Sequence, residues 1–264
     1  MPPENATVFA RQWNPSALLR NHILAFLLLG SFILPEGQAL WRQLDQSIFF
    51  ILNGSLEGST SWARFWAWTN VRSSDIATGM VMIISLTFPG LGMRRAQLQG
   101  AFIGFIFLLL FVMFPIRYAL HMLAAVYELT GPSASLTLEP AFRLSELAPD
   151  IPAKDASLHS FPGDHAAVLW CWAGVLIYNM KQRALCLVPV AIAVAFMLPR
   201  VVGGAHWASD ILVGGGFVAL LTLSWAFHTP LVQQVTDMLT RLLQPVVRLF
   251  SRIPVLGQLP FFHS

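Results

Sequence analysis

Charge is scarce in this sequence. Asp, Glu, Lys and Arg make up 11% of its 264 residues, against about 25% in a soluble domain. Hydrophobic residues reach 56%. Water cannot solvate so apolar a surface, so the bilayer is the solvent. Cysteine is nearly absent. Cys171 and Cys186 both lie in apolar runs and form no CxxC pair, which excludes a disulfide framework and a cysteine metal site. No internal repeat or low-complexity tract is present. The net charge of +3 comes from scattered basic residues, so they give no nucleic-acid footprint and serve mainly as topology signals.

A helical span needs about 20 largely apolar residues. Six candidates emerge: Ala17–Leu34, Ile76–Gly92, Leu98–Met122, Ala166–Met180, Ala184–Val202 and about Trp207 to Phe227. The first is expected to be a retained anchor; it is long for a signal peptide and lacks a good cleavage site. With six spans, Arg11, Arg20, Arg94, Arg95, Lys181, Arg183, Arg241, Arg248 and Arg252 share one side, expected to be cytoplasmic with both termini. Asp75, Glu128, Asp150, Asp155, Asp164, Asp210 and most other acids fall on the outer side.

Two segments belong to the membrane surfaces. Leu40–Leu56 and the STSWARFWAWTN run after it carry Trp41, Trp62, Trp66 and Trp68, an aromatic belt. Residues 231–253 place Gln234, Asp237, Arg241, Gln244 and Arg248 on one helical face and apolar residues on the other. That is a cytoplasmic interfacial helix. The expected fold is therefore all-α: one membrane-embedded domain over residues 1–264, a six-helix bundle with an outer-face active site and interfacial helices.

That site gathers the ionisable residues a membrane chain tolerates least. The stretch PRVVGGAHWASD puts Arg200 at the end of span five and His206 at the start of span six, while SFPGDHA opens span four. His206 and Asp210 are four apart and share a helix face. A carboxylate on one imidazole nitrogen fixes the tautomer and frees the other nitrogen as a nucleophile. Arg200 suits a phosphate bidentately, the helix opening after Gly163 is an anion site, and His165 is placed as general acid. Together these residue types describe phosphoryl transfer through a phosphohistidine, with side chains supplying the positive charge and with no metal or cofactor. A zinc site would want a third ligand.

The spacing R-x5-H-x3-D and the run PGDH resemble the third and second motifs of the type-2 phosphatidic acid phosphatase family. Within it, KDASLHSFPGDH (Lys154–His165), RLSEL (Arg143–Leu147) and PRVVGGAHW (Pro199–Trp207) resemble the lipid A phosphotransferase branch. The resemblance is dense over Arg143–Gly216 and implies His206 as nucleophile and His165 as acid. Two features depart from the wider family: the first motif's Lys and Arg are missing around Ala124 to Pro132, and a serine is replaced by Gly163. Lys154, Arg143, Arg117 and His121 are the available replacements, with Lys154 and Arg143 favoured; Ser160, Asp164 and Asp155 are possible supports. The branch implies undecaprenyl diphosphate as donor and the 1-phosphate of Kdo-lipid A as acceptor. Its setting is a Gram-negative inner membrane, with the site facing the periplasm and the long Glu128–Ser160 loop as cover. A plain lipid-phosphate phosphatase is the alternative function; a non-enzymatic lipid transporter keeping a dead site is a third.

Overall fold

The computed structural model describes residues 6–90 and 92–263, with the side chains of Arg183 and His263 outside that description. Among the described residues every regular element is helical. The long ones are α1 (Pro15–Ile33), α2 (Pro35–Gly54), α3 (Thr60–Thr69), α4 (Arg72–Thr87), α5 (Arg95–Val126), α6 (Asp164–Asn179), α7 (Ala184–Val202), α8 (Asp210–His228) and α9 (Leu231–Ser251). Four of them, α1, α5, α7 and α8, are long and apolar enough to cross a membrane. They coincide with four of the six expected spans. The other two correspond to α4 and α6, of 16 residues each. At 1.5 Å per residue each is about 24 Å long, short of a hydrocarbon core of about 30 Å.

Apolar packing sets the arrangement. Helix α8 is the central element: it packs on α1, α5 and α6, and Gly216–His228 has its buried residues all round. Helix α1 turns Leu19, Ile23, Leu24, Phe26 and Leu27 outward, as expected of a lipid-facing helix. Asn14 starts α1 by accepting a hydrogen bond from the Ala17 N–H, just ahead of Pro15; a side-chain cap followed by Pro at the first helical position is a strong helix start.

Two segments expected at the surfaces prove more integrated than that. The Leu40–Leu56 segment belongs to α2, a 20-residue helix whose Asp45, Phe49 and Asn53 are buried at helical spacing. Asn53 binds the carbonyls of Phe142 and Val202 and accepts from the Phe142 N–H, tying α2 to the loop and to α7. Helix α9 is amphipathic as expected, with Met238, Leu242, Val246, Leu249 and Phe250 exposed. Its first turns, however, bury Val232, Gln233 and Thr236 and pack against α5.

Short helical turns at Ala134–Thr137 and Leu144–Leu147 interrupt the 128–160 connection. The connection is anchored at both sides. Ser133 N–H donates to Ser157, Ser135 N–H to Gly204, and Arg64 of α3 holds both oxygens of Asp150 at 2.7 Å.

Candidate active site

Three chain segments converge at one end of the bundle. The first is the turn between α7 and α8. Gly204 takes a left-handed conformation, φ +74°, which only glycine adopts at little cost. This turns the chain so that the Ala205 and His206 N–H groups both donate to the Arg200 carbonyl, at 2.9 and 3.1 Å. A Cβ at Gly204 would lie 2.8 Å from Phe49 and Ser135 atoms, so tight packing demands glycine as well. His206 is thereby buried at 7% exposure, directly ahead of α8.

Its Nδ1 lies 3.2 Å from Asp210 Oδ2, and the same oxygen accepts from the Trp207 N–H at 2.9 Å. Asp210 is 1% exposed, and a buried carboxylate with two donors stays fixed. It favours the tautomer with the proton on Nδ1 and leaves Nε2 with its lone pair. Asp210 also opens a π-helical turn, Asp210–Gly215, a distortion frequent at functional sites.

The second segment is the start of α6. His165 repeats the arrangement: its Nδ1 lies 2.8 Å from Asp164 Oδ1, which also accepts the His165 backbone N–H. Gly163 differs from expectation. Its N–H is donated to the Asp210 carbonyl at 3.1 Å, so it is not a free anion donor. Its contribution is space: a Cβ would lie 3.0 Å from that carbonyl oxygen.

The third segment is the α3–α4 junction, which no motif had marked. Arg200 is 6% exposed. Its Nη1 donates to the Asn70 carbonyl and side-chain oxygens at 3.3 and 2.9 Å, and its Nη2 to Asp75 at 2.8 and 3.1 Å. Asp75 Oδ1 is also 3.3 Å from His165 Nε2. A carboxylate therefore sits between the guanidinium and the second histidine, where an anionic group is favoured. The available signal was position: Asp75 directly precedes the apolar run of span two.

Gly163, His165, Arg200 and His206 line one small cavity with Ala166, Met197 and Ile211. The other expected residues are placed differently. Lys154 has its side chain exposed, while its backbone N–H donates to the same Asn70 carbonyl that receives Arg200. Arg143 pairs with Asp155 at 3.4 Å and Glu146 at 3.7 Å, and Asp155 also accepts from the Ser145 N–H. Ser160 bonds the Gly131 carbonyl through both its N–H and its hydroxyl. Arg117, the replacement less favoured from sequence, lies 4.0 Å from Asp164, with its Nε buried and unpartnered like His121 Nδ1. Among the described residues no group of three or more His, Cys, Asp and Glu is arranged to hold a metal ion.

Below this site, Asp45 of α2 accepts from the Ser209 N–H and hydroxyl at 2.8 and 2.6 Å. Burial pushes its carboxyl up to about 6, against those hydrogen bonds.

The sequence matches the PAP2 superfamily over residues 118–231. It is 33% identical over 223 residues to the lipid A 1-diphosphate synthase of Escherichia coli (strain K12), covering 82% of this chain and 89% of that protein. No solved structure matches.

Proposed function

Because this chain belongs to the PAP2 superfamily and is thus a membrane enzyme acting on phosphate groups, we propose that it moves the distal phosphate of undecaprenyl diphosphate onto the 1-phosphate of Kdo-lipid A. The observation that carries this reading is the pair of histidines, each with a carboxylate on Nδ1, lining one cavity with a buried arginine.

In the proposed reaction His206 Nε2 attacks the distal phosphorus of the donor. The bond to the leaving oxygen breaks, that oxygen takes a proton from His165 Nε2, and undecaprenyl phosphate departs. An oxygen of the acceptor phosphate then attacks the phosphohistidine. The P–N bond breaks, its electron pair returns to His206, and lipid A 1-diphosphate leaves. Asp210 stabilises the positive imidazole in both steps. Arg200 neutralises the equatorial oxygens, so the entering phosphate exchanges with Asp75 for the guanidinium. Side chains supply the required positive charge, and no metal is invoked. The site faces the periplasm across a Gram-negative inner membrane, with six crossings and both termini cytoplasmic.

The similarity to a lipid A 1-diphosphate synthase supports transfer over hydrolysis. The test uses purified protein and undecaprenyl diphosphate labelled in its distal phosphate, with and without Kdo-lipid A. Label is expected in lipid A and is expected to vanish in His206→Ala. Label released only as free phosphate, with or without lipid A, would make the protein a lipid-phosphate phosphatase and sink the transfer reading.

A further inference from the structure

A second cavity, of about 380 Å³, lies on the other side of the Trp207–Asp210 turn from the histidine pair. It is within the size range of small-molecule sites. Its walls come from the end of α1, the first half of α2 and the start of the 128–160 connection. Trp207, Ser209 and Asp210 close it on the α8 side, and Ser160 and Phe161 on the α6 side. The two cavities are therefore separated by the turn that carries His206.

The larger cavity is lined by groups with hydrogen-bonding capacity to spare. Thr130 Oγ1 is buried without a partner, and a buried hydroxyl is rarely left so unless something else satisfies it. Arg42, Gln38, Gln46 and Glu128 line it too, and Arg42 has no ion-pair partner among the described residues. Glu128 holds a φ of +53°, a left-handed conformation that costs a non-glycine residue energy. The polar lining selects the ligand. Asp45 and Asp210 are already bound to Ser209, His206 and Trp207, which leaves one guanidinium, the Glu128 carboxylate, two amides and a hydroxyl to be matched. A bare diphosphate headgroup has no hydrogen-bond donors and leaves most of these groups unmatched. Sugar hydroxyls donate well to carboxylates and exchange hydrogen bonds with amides, and one phosphate on the ring can take Arg42.

We propose that this cavity receives the phosphorylated sugar headgroup of the acceptor glycolipid, with Arg42 on a phosphate and Gln46, Glu128 and Thr130 on ring hydroxyls. The inference rests on the transferase reading and adds where the acceptor binds. The donor enters the histidine cavity; the acceptor's sugar is held on the other side of the turn, with a phosphate other than the attacking one on Arg42, so that its 1-phosphate extends past the turn to the phosphate on His206 Nε2.

The test measures KM for each substrate separately with labelled undecaprenyl diphosphate and Kdo-lipid A. Arg42→Ala and Gln46→Ala are each expected to raise the acceptor KM about tenfold, as loss of a charged or buried hydrogen bond does, leaving the donor KM within about twofold. Leu138→Trp, which fills the cavity from its wall, is expected to do the same without removing any polar group. Acceptor KM unchanged in all three variants, or both KM values raised together, would overturn the assignment while leaving the transferase intact. Failure of the unmodified protein to label lipid A would instead remove the transfer reading, and the acceptor site with it.

Discussion

Asp75 is separated from Arg200 by 125 positions in the chain, yet its Oδ1 lies 2.8 Å from Arg200 Nη2 and 3.3 Å from His165 Nε2. Such an anion does two things for the proposed chemistry. It holds a guanidinium that would otherwise be buried and unpaired, which is strongly destabilising, and it favours the proton on the histidine nitrogen that must deliver it. Asp75→Asn keeps an oxygen for Arg200 but removes the charge. It is expected to lower kcat about tenfold or more, a part of the 10²–10⁴-fold that general acid catalysis contributes, with little change in donor KM. A KM effect alone would show that Asp75 only positions Arg200. His206, Asp210, Arg200 and His165 were legible because two motifs of rare polar residues interrupt apolar runs. Asp75 and Asn70 were not, because a single acid or amide near a span end carries no spacing. Charge alone favoured Lys154 and Arg143, whereas in the fold Arg143 is committed to Asp155 and Glu146.

At the scale of elements, four of the six expected spans recur as helices of crossing length because an unbroken apolar run has few other ways to satisfy its backbone. Helix α2 was harder to read. Arg42 and Asp45 lie among Gln38, Gln43, Gln46 and Ser47 in a mixed stretch with no clear apolar run, and only the tertiary fold shows that Asp45, Phe49 and Asn53 form its buried stripe. The Asp45–Ser209 contact couples α2 to the start of α8. Burial raises the Asp45 carboxyl to about 6 from 3.8 in the unfolded chain, so the folded protein binds the proton more tightly than the unfolded chain. That contribution to stability is fully present below about pH 4 and is lost as pH rises through about 6. The thermal midpoint in detergent should therefore decline across this window by more in the unmodified protein than in Asp45→Asn. Parallel curves for the two would show that Asp45 titrates normally and that the α2–α8 contact carries no burial cost.

Across the whole molecule, the two ends of the bundle have separate chemistries. One end holds the histidines and their carboxylates. The other end holds a hydrogen-bonded lock between the N-terminal segment, α5, α6 and α9. In it, Gln97 binds the Thr7 carbonyl and Asn179, Arg11 pairs with Asp237 at 3.1 Å, and Gln233 accepts from the Val8 and Phe9 N–H groups at 3.1 and 2.8 Å. Sequence periodicity showed α9 as a surface helix because its apolar face is continuous; Gln233 reads there as one more polar residue, and the two N–H groups its side-chain oxygen accepts from lie over 200 positions away. The lock explains how a helix suited to the lipid surface is also fixed to the bundle. Gln233→Leu preserves the side chain's bulk but strands two buried N–H donors, each costing about 1–3 kcal/mol. For a chain of this size that is a fall in thermal midpoint of roughly 5 °C or more. Because the lock lies at the end away from the histidines, kcat and both KM values should stay within about twofold at a temperature where the variant is folded. A large loss of activity at an unchanged thermal midpoint would mean instead that the far end is coupled to the site, and that the bundle does not separate stability from catalysis.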